Sequence, residues 1–299
     1  MDLVLPYVDS ADKIWQEGYI KACRDDGREV NCDANRYREF IPLKYLLRTV
    51  AKNMPFISKV FLVVQSRSQV PVYIRESKHL KVVLHEEFIP QEFLPTYNSN
   101  TIELFVHRIK GLSEKFLLTN DDLLPIRRLH RRDFFTWGIP RLSVQYRKQF
   151  VTDYRMTLKN SETLIASSLG MDSIVPNNWF LRDGHTMQPQ RVSVWKNIFR
   201  KCGCKIFMTI TPFRNLSNCT QQLSQYWYYF KDCFLKRKFN TRYYSFIKCT
   251  IDTILEDLES TDVKIVCIND SGCTDYYSTT KKLNNWLEKR LSKKCKYEN

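Results

Sequence analysis

Short apolar runs separated by helix-like stretches constrain the fold most. Lys59–Gln65 (KVFLVVQ), Leu80–Leu84 (LKVVL) and Lys115–Thr119 (KFLLT) have the length and side chains of buried strands. Asp2–Val8 is a shorter candidate with an apolar centre, and Asp9–Asp12 reads as the loop that leaves it. Between these runs the period changes. Leu43, Leu46, Leu47, Val50 and Ala51 recur at helical spacing, with Pro42 suited to the first turn and Pro55 closing the segment. Ser99–Lys110 predicts a second helix, with Ile102, Phe105, Val106 and Ile109 inward and Gly111 as its stop. Strands that alternate with helices imply an α/β fold: a Rossmann-like, mainly parallel sheet with helices on both faces. Such sheets bind ligands beyond the carboxyl ends of their strands. The acidic loops at Asp9–Asp12 and Asn120-Asp121-Asp122 both fall at that edge.

The second half is less regular. Trp137–Asn178 reads as mixed helix and loop, and residues 129–183 are expected to be an insertion. The chain is then a single domain, 1–299, with a core of about 1–128 and 184–299. Gln221–Cys233 predicts an aromatic-rich helix, and Lys264–Ile268 a further interior strand ending at Asn269-Asp270. Leu283, Trp286, Leu287 and Leu291 form the docking face of an amphipathic helix near the C-terminus. With 43% hydrophobic residues, 8 glycines and 11 prolines, collagen-like and low-complexity classes are excluded. No repeat is visible, no apolar run reaches the ~18 residues that span a bilayer, and residues 1–8 do not read as a signal peptide. The ten cysteines match no two-pair zinc spacing and read as reduced thiols, which favours a cytoplasmic location.

A net charge of +15 implies an anionic partner. Arg127, Arg128, Arg131 and Arg132 form one basic cluster and Lys281–Lys296 another. Either serves an anionic substrate, holds the chain peripherally at the inner membrane face, or is a solvated surface. Nucleic acid is not expected, because the aromatics around Trp227 have no adjacent basic residue until Lys231.

The candidate chemistry starts at Asn120-Asp121-Asp122. Adjacent carboxylates at a buried strand end are costly unless solvated, paired or bound to a cation. They suit a Mg²⁺ ion touching a diphosphate, or one of them acts as a general base; a turn or helix N-cap explains the tripeptide equally. Glu103 and His107, spaced i and i+4, would share a helix face beside Arg108, most commonly as a structural ion pair. His185 lies in a loop-like stretch, where histidine is usually ordinary surface. Arg214 has the planar fork that clamps phosphate, and Asp270 repeats the strand-end acid. The absence of a P-loop, GxGxxG, GxSxG or HExxH motif removes the usual support for ATP-driven and serine-hydrolase chemistry.

Taken together, these stretches resemble the conserved regions of the Stealth family, bacterial capsule hexose-1-phosphate transferases related to the eukaryotic enzyme that builds the mannose-6-phosphate signal. DLVLPYVDSADKIW is similar to the first region, and RYREFIPLKYLLRTVAKNMPFISKVFLVVQS to the start of the second. HEEFIPQEFLPTYNSNTIELFVHRIKGLSEKFLLTNDDLL is similar to its continuation and is the most specific match. GHTMQPQRVSVW resembles the third region; TPFRNLSNCTQQLSQYWYYF, KIVCINDS and KCKYE resemble the fourth. The chain departs from the pattern at Tyr7, Ser10, Ala11 and Pro42, and lacks an acidic pair after Arg214.

The resemblance implies catalytic positions at Asp122 and His185, with Arg214 engaging phosphate and Asp121 assisting with metal or donor. It implies that Asn98, Ser99, Glu103, His107 and Arg108 line the same pocket, joined by Asp9, Arg36 and Asp270 as substrate-binding residues. The implied reaction moves a hexose or hexosamine 1-phosphate from a UDP-sugar to a carbohydrate hydroxyl in capsule or exopolysaccharide synthesis, with Mg²⁺ or Mn²⁺. The implied partners are a nucleotide-sugar donor and a carbohydrate acceptor. The alternative is a metal-dependent glycosyltransferase that releases UDP rather than UMP.

Overall fold

The computed structural model describes residues 1–30, 37–148, 153–173, 179–237 and 241–299. Its centre is a sheet of four parallel strands, β1 (Asp2–Pro6), β2 (Val60–Val64), β3 (Leu80–Leu84) and β4 (Lys115–Leu118), in spatial order β3-β2-β1-β4. Leu3 pairs with Val60 and Val4 with Leu118, and the strand Gln188–Arg191 closes the β4 edge antiparallel. The chain enters at β1, steps outward to β3, then crosses back to β4 on the other side. Beyond the carboxyl ends of β1 and β4 the connections run in opposite directions, which opens the crevice where such sheets hold ligands.

The period-2 alternation of these strands sorts their side chains onto two faces. Leu3, Leu5, Leu62, Val64 and Leu117 pack with Leu46, Leu47 and Val50 of α2 (Leu43–Asn53) and with Leu283 and Leu287 of the helix Tyr276–Arg290. Val4, Phe61, Val63, Phe116 and Leu118 pack on the opposite face with Phe105, Trp195, Ile198 and Tyr226. Each fully buried Leu, Val or Phe of this kind contributes about 1.5–3 kcal/mol. The expected α/β class with helices on both faces is the architecture observed.

Two details differ from expectation. Pro42 stands at the N-cap of α2, one residue outside the first turn. More consequentially, the second expected helix stops early: α3 spans Ser99–Phe105, and a tighter 3₁₀ turn, Val106–Arg108, follows. The change of pitch breaks the i, i+4 relation between Glu103 and His107.

Residues 129–183 hold more strand than expected. Val144–Lys148 pairs antiparallel with Trp179–Asp183, flanking the helix Asp153–Leu169. Leu158 and Ile165 of that helix are fully buried, and Ile165 belongs to the second core. A small second sheet places β5 (Leu123–Pro125) antiparallel to Ile265–Asn269, which is parallel to Thr241–Ser245. Through this pairing Asp122, just before β5, lies beside Cys267 and Asn269. No helix among the described residues is long and apolar enough to cross a membrane.

Candidate active site

The residues at the switch point come from distant parts of the chain. Leaving β1, Pro6, Tyr7 and Val8 form one wall of a cleft of about 150 Å³, and Thr119, Asn120 and Asp121 leaving β4 form its floor. Ser99, Ile102 and Glu103 of α3 and Arg214 close the side opposite the sheet. The remaining wall is aromatic. Trp15 of α1 (Lys13–Asp25) lies 5.0 Å from Tyr37 and 5.6 Å from Tyr97, measured between ring centroids. Asp12 caps α1 by accepting from the Ile14 amide, which fixes where the helix starts and aims Trp15 at the cleft. Gly18 leaves room for this wall one turn on: a Cβ there would stand 2.8 Å from the Tyr97 hydroxyl and displace it. Gln65 Oε1 and Tyr97 Oη are buried at this wall without a well-formed hydrogen bond.

Asp122 and His185 adjoin the cleft without being among its lining residues, and of the two adjacent carboxylates Asp122 is the more heavily engaged. Its Oδ2 accepts from Cys267 Sγ at 3.1 Å and Asn269 Nδ2 at 3.5 Å, and His185 Nε2 lies 3.6 Å away, an ion-pair distance rather than a hydrogen bond. Its Oδ1 is buried and unpartnered. Burial would raise the Asp122 carboxyl, but His185, the thiol and the amide outweigh it and hold it below the ordinary range. Burial, then repulsion from Asp122, pushes Asp121 up to about 7, with Glu39 and Asp270 adding to the effect. Neighbouring carboxylates are thus driven apart: one stays charged at neutral pH while the other holds a proton readily.

The structure brings together several of the expected residues. Glu103 is buried in the cleft wall; burial pushes its carboxyl up to about 7 against the pull of Arg214 and His185. Arg214 is exposed at the rim and donates from Nη2 to Ser99 Oγ at 2.5 Å. Asp270 pairs with Arg38 Nε at 2.5 Å; burial raises its carboxyl and Arg38 opposes this.

Other expected contacts are placed elsewhere. Asn98 is fully buried and does not line the cleft. Its Nδ2 lies within reach of Thr211 O at 3.1 Å, Phe213 O at 3.2 Å and Asn218 Oδ1 at 2.8 Å, while its Oδ1 caps α3 at the Asn100 amide. It therefore fastens the loop that carries Arg214. His107 is packed in the second core with its ring stacked on Trp195 at 5.6 Å, and burial lowers it to about 4. Arg108 is exposed over the Phe105 ring, away from the cleft. The early end of α3 explains both displacements. Asp9 ties its own loop by accepting from the Ala11 amide at 2.9 Å and is not part of the cleft lining. Arg36 lies outside the described residues.

Sequence reasoning missed Arg38, Glu39, Cys267 and the aromatic wall. Tyr7 donates to Glu39 Oε1 at 2.9 Å, and burial raises the Glu39 carboxyl. A faint signal existed, since Arg38 and Glu39 stand two and three residues after Arg36 and Tyr97 precedes Asn98.

The switch point of the sheet thus gathers a carboxylate–imidazole pair, a guanidinium and an aromatic wall. Residues 36–141 match Stealth protein CR2, conserved region 2. The chain is 27% identical over 330 residues to the capsular polysaccharide phosphotransferase WcwK of Streptococcus pneumoniae, covering 100% of this chain and 98% of that protein. It is 31% identical over 208 residues to the capsular polysaccharide phosphotransferase LcbA of Aeromonas hydrophila, 68% of this chain and 56% of that protein. A solved galactosyltransferase LgtC, in complex with donor and acceptor sugar analogs, aligns over 99% of this chain and 98% of its own at 12% identity, with a TM-score of 0.44. The chain belongs to the Stealth family.

Proposed function

We propose that this enzyme transfers a hexose or hexosamine 1-phosphate from a UDP-sugar to a carbohydrate hydroxyl, in capsule or exopolysaccharide synthesis. The observation that carries the reading is the Asp122–His185 pair at 3.6 Å, held across the switch point from Arg214 and Glu103. The acceptor hydroxyl loses its proton to this pair and attacks the β-phosphorus of the donor. The bond between that phosphorus and the oxygen bridging to the α-phosphate breaks, and UMP leaves. Negative charge spreads over the phosphoryl oxygens, and Arg214 faces the space where it develops. The aromatic wall of Trp15, Tyr37 and Tyr97 offers flat apolar surface to a base or sugar ring.

The acidic floor suits a hard divalent cation. Asp121 is pushed up to about 7 among Asp122, Glu39 and Asp270, so a cation beside it would relieve repulsion that the protein leaves in place. Asp121 would hold Mg²⁺, or Mn²⁺ in its stead, and the ion would supply positive charge to the donor diphosphate. Residues 1–128 and 184–299 form the catalytic core in this reading, with 129–183 inserted. Exposed Arg128, Arg131 and Arg132 around the exposed Trp137 support peripheral contact with an anionic membrane.

The test is the leaving nucleotide. Purified protein given a UDP-sugar and acceptor is expected to release UMP and yield a product with a phosphodiester resonance by phosphorus NMR. Release of UDP with a phosphorus-free product overturns the proposal in favour of simple glycosyl transfer.

A further inference from the structure

We propose that Asp122, His185 and Cys267 form a binding site for a borderline-soft divalent cation of the Zn²⁺ class, and that its occupancy shuts the active site. Among the described residues this is the one place where three potential ligand side chains of this kind converge, with their ligand atoms all within 4.8 Å. Cys267 Sγ lies 3.1 Å and His185 Nε2 3.6 Å from the same Asp122 oxygen. Tetrahedral Zn²⁺ with bonds of about 2.0–2.3 Å sets its ligand atoms roughly 3.2–3.6 Å apart, close to both contacts with Asp122, so the gap between Cys267 and His185 is the one that closes on binding.

A second observation points the same way. Asp122 Oδ1 and His185 Nε2 are both buried atoms without a hydrogen-bond partner, although each belongs to a group that normally satisfies such atoms. A cation among them would use the lone pairs the fold leaves idle.

The donor set decides the metal. One nitrogen, one sulfur and one carboxylate favour Zn²⁺, Co²⁺ or Cd²⁺ and suit Mg²⁺ poorly, since it demands near-octahedral oxygen. Asp121 on the floor of the cleft offers only oxygen. The two carboxylates, adjacent in sequence, thereby address different cations. Binding at Cys267 replaces its S–H···O contact with a metal–thiolate bond, and the thiol proton leaves to solvent. His185 and Asp122 are then coordinated and can no longer take a proton from an acceptor hydroxyl. The inhibitory half of the proposal rests on the function proposed above; the site itself does not.

The test begins with the metal-free full-length protein titrated with Co²⁺. One equivalent is expected to give the near-ultraviolet thiolate-to-cobalt charge-transfer band and the visible bands of four-coordinate Co²⁺, both bleached by one equivalent of Zn²⁺. Cys267→Ala should lose the charge-transfer band. His185→Ala, a change in a half-exposed side chain, should keep the fold and weaken Co²⁺ binding at least tenfold. A band that survives in Cys267→Ala, or wild-type affinity in His185→Ala, overturns the site. With excess Mg²⁺ present, stoichiometric Zn²⁺ should abolish UMP release and a chelator selective for Zn²⁺ should restore it. Undiminished UMP release at full Zn²⁺ occupancy overturns the inhibition. Failure to see UMP under any condition overturns the proposed reaction and leaves the cobalt spectrum to judge the site.

Discussion

Glu103 offers a pH-dependent test of how the cleft is built. It is 4% exposed, and burial moves its carboxyl from 4.5 to about 7 even though Arg214 and His185 pull the other way. At about 1.4 kcal/mol per tenfold in proton affinity, that displacement costs the native state about 3 kcal/mol at any pH above 7. The sign follows from linkage. Below about pH 4.5 the folded and unfolded chains both carry the proton, and the cost is nil. Between 4.5 and 7 the unfolded chain ionises while the folded one resists, so stability is lost as pH rises through that window and stays lost above it. Glu103→Gln keeps the shape and removes the titration. Because Arg214 also loses a counter-charge, the expected gain at pH ~8 is about 1–3 kcal/mol, falling to near zero at pH ~4.5. Urea denaturation at both pH values measures it. The variant should meanwhile transfer at least about tenfold less, since the charge that positions Arg214 is gone. Equal stabilisation at both pH values, or destabilisation at the higher one, would refute the reasoning.

Asp122→Asn should reduce turnover by about 10²–10⁴-fold with the fold intact, because it removes charge without volume; wild-type turnover sinks the assignment. Asn98→Ala should cost about 3 kcal/mol, since it orphans buried partners and uncaps α3, and should lower Tm on the order of 10 °C; calorimetry decides. EDTA should remove transfer and Mg²⁺ restore it, and full activity in metal-free protein would count against a cation at Asp121. Sedimentation with anionic vesicles should be seen at low salt and weaken as salt rises, each basic residue contributing roughly 1 kcal/mol; salt-insensitive binding, or none, contradicts an electrostatic contact.

The legible parts of this fold were those specified by local chemistry. β2 and β3 announce themselves because VFLVV and LKVVL have no other low-energy setting. The strand-end acids were visible because Asp121 and Asp122 follow an apolar run directly. What stayed hidden depends on register and pitch. Cys267 is an unremarked apolar residue until Ile265–Asn269 pairs with Leu123–Pro125 and slides its thiol under Asp122. Glu103 and His107 share a face only if the helix continues, and the 3₁₀ turn after Phe105 sends one to the cleft and the other to the core. Trp15, Tyr37 and Tyr97 come from three separate segments, and no periodicity relates them. Strand Val144–Lys148 was missed because its partner, Trp179–Asp183, lies beyond a whole helix.

The clasp at Asn98 has a consequence for how relatives of this chain can be recombined. Asn98 and Asn218 are joined at 2.8 Å, and Asn218 in turn donates to Thr209 O at 2.7 Å and Thr211 Oγ1 at 2.8 Å. The start of α3 and the 209–218 loop are therefore one mechanical part made from two stretches of sequence. A chimera that exchanges the loop alone severs that joint, however well the transplanted arginine matches. A chimera that exchanges both keeps it, so the smallest interchangeable piece of this enzyme is discontinuous.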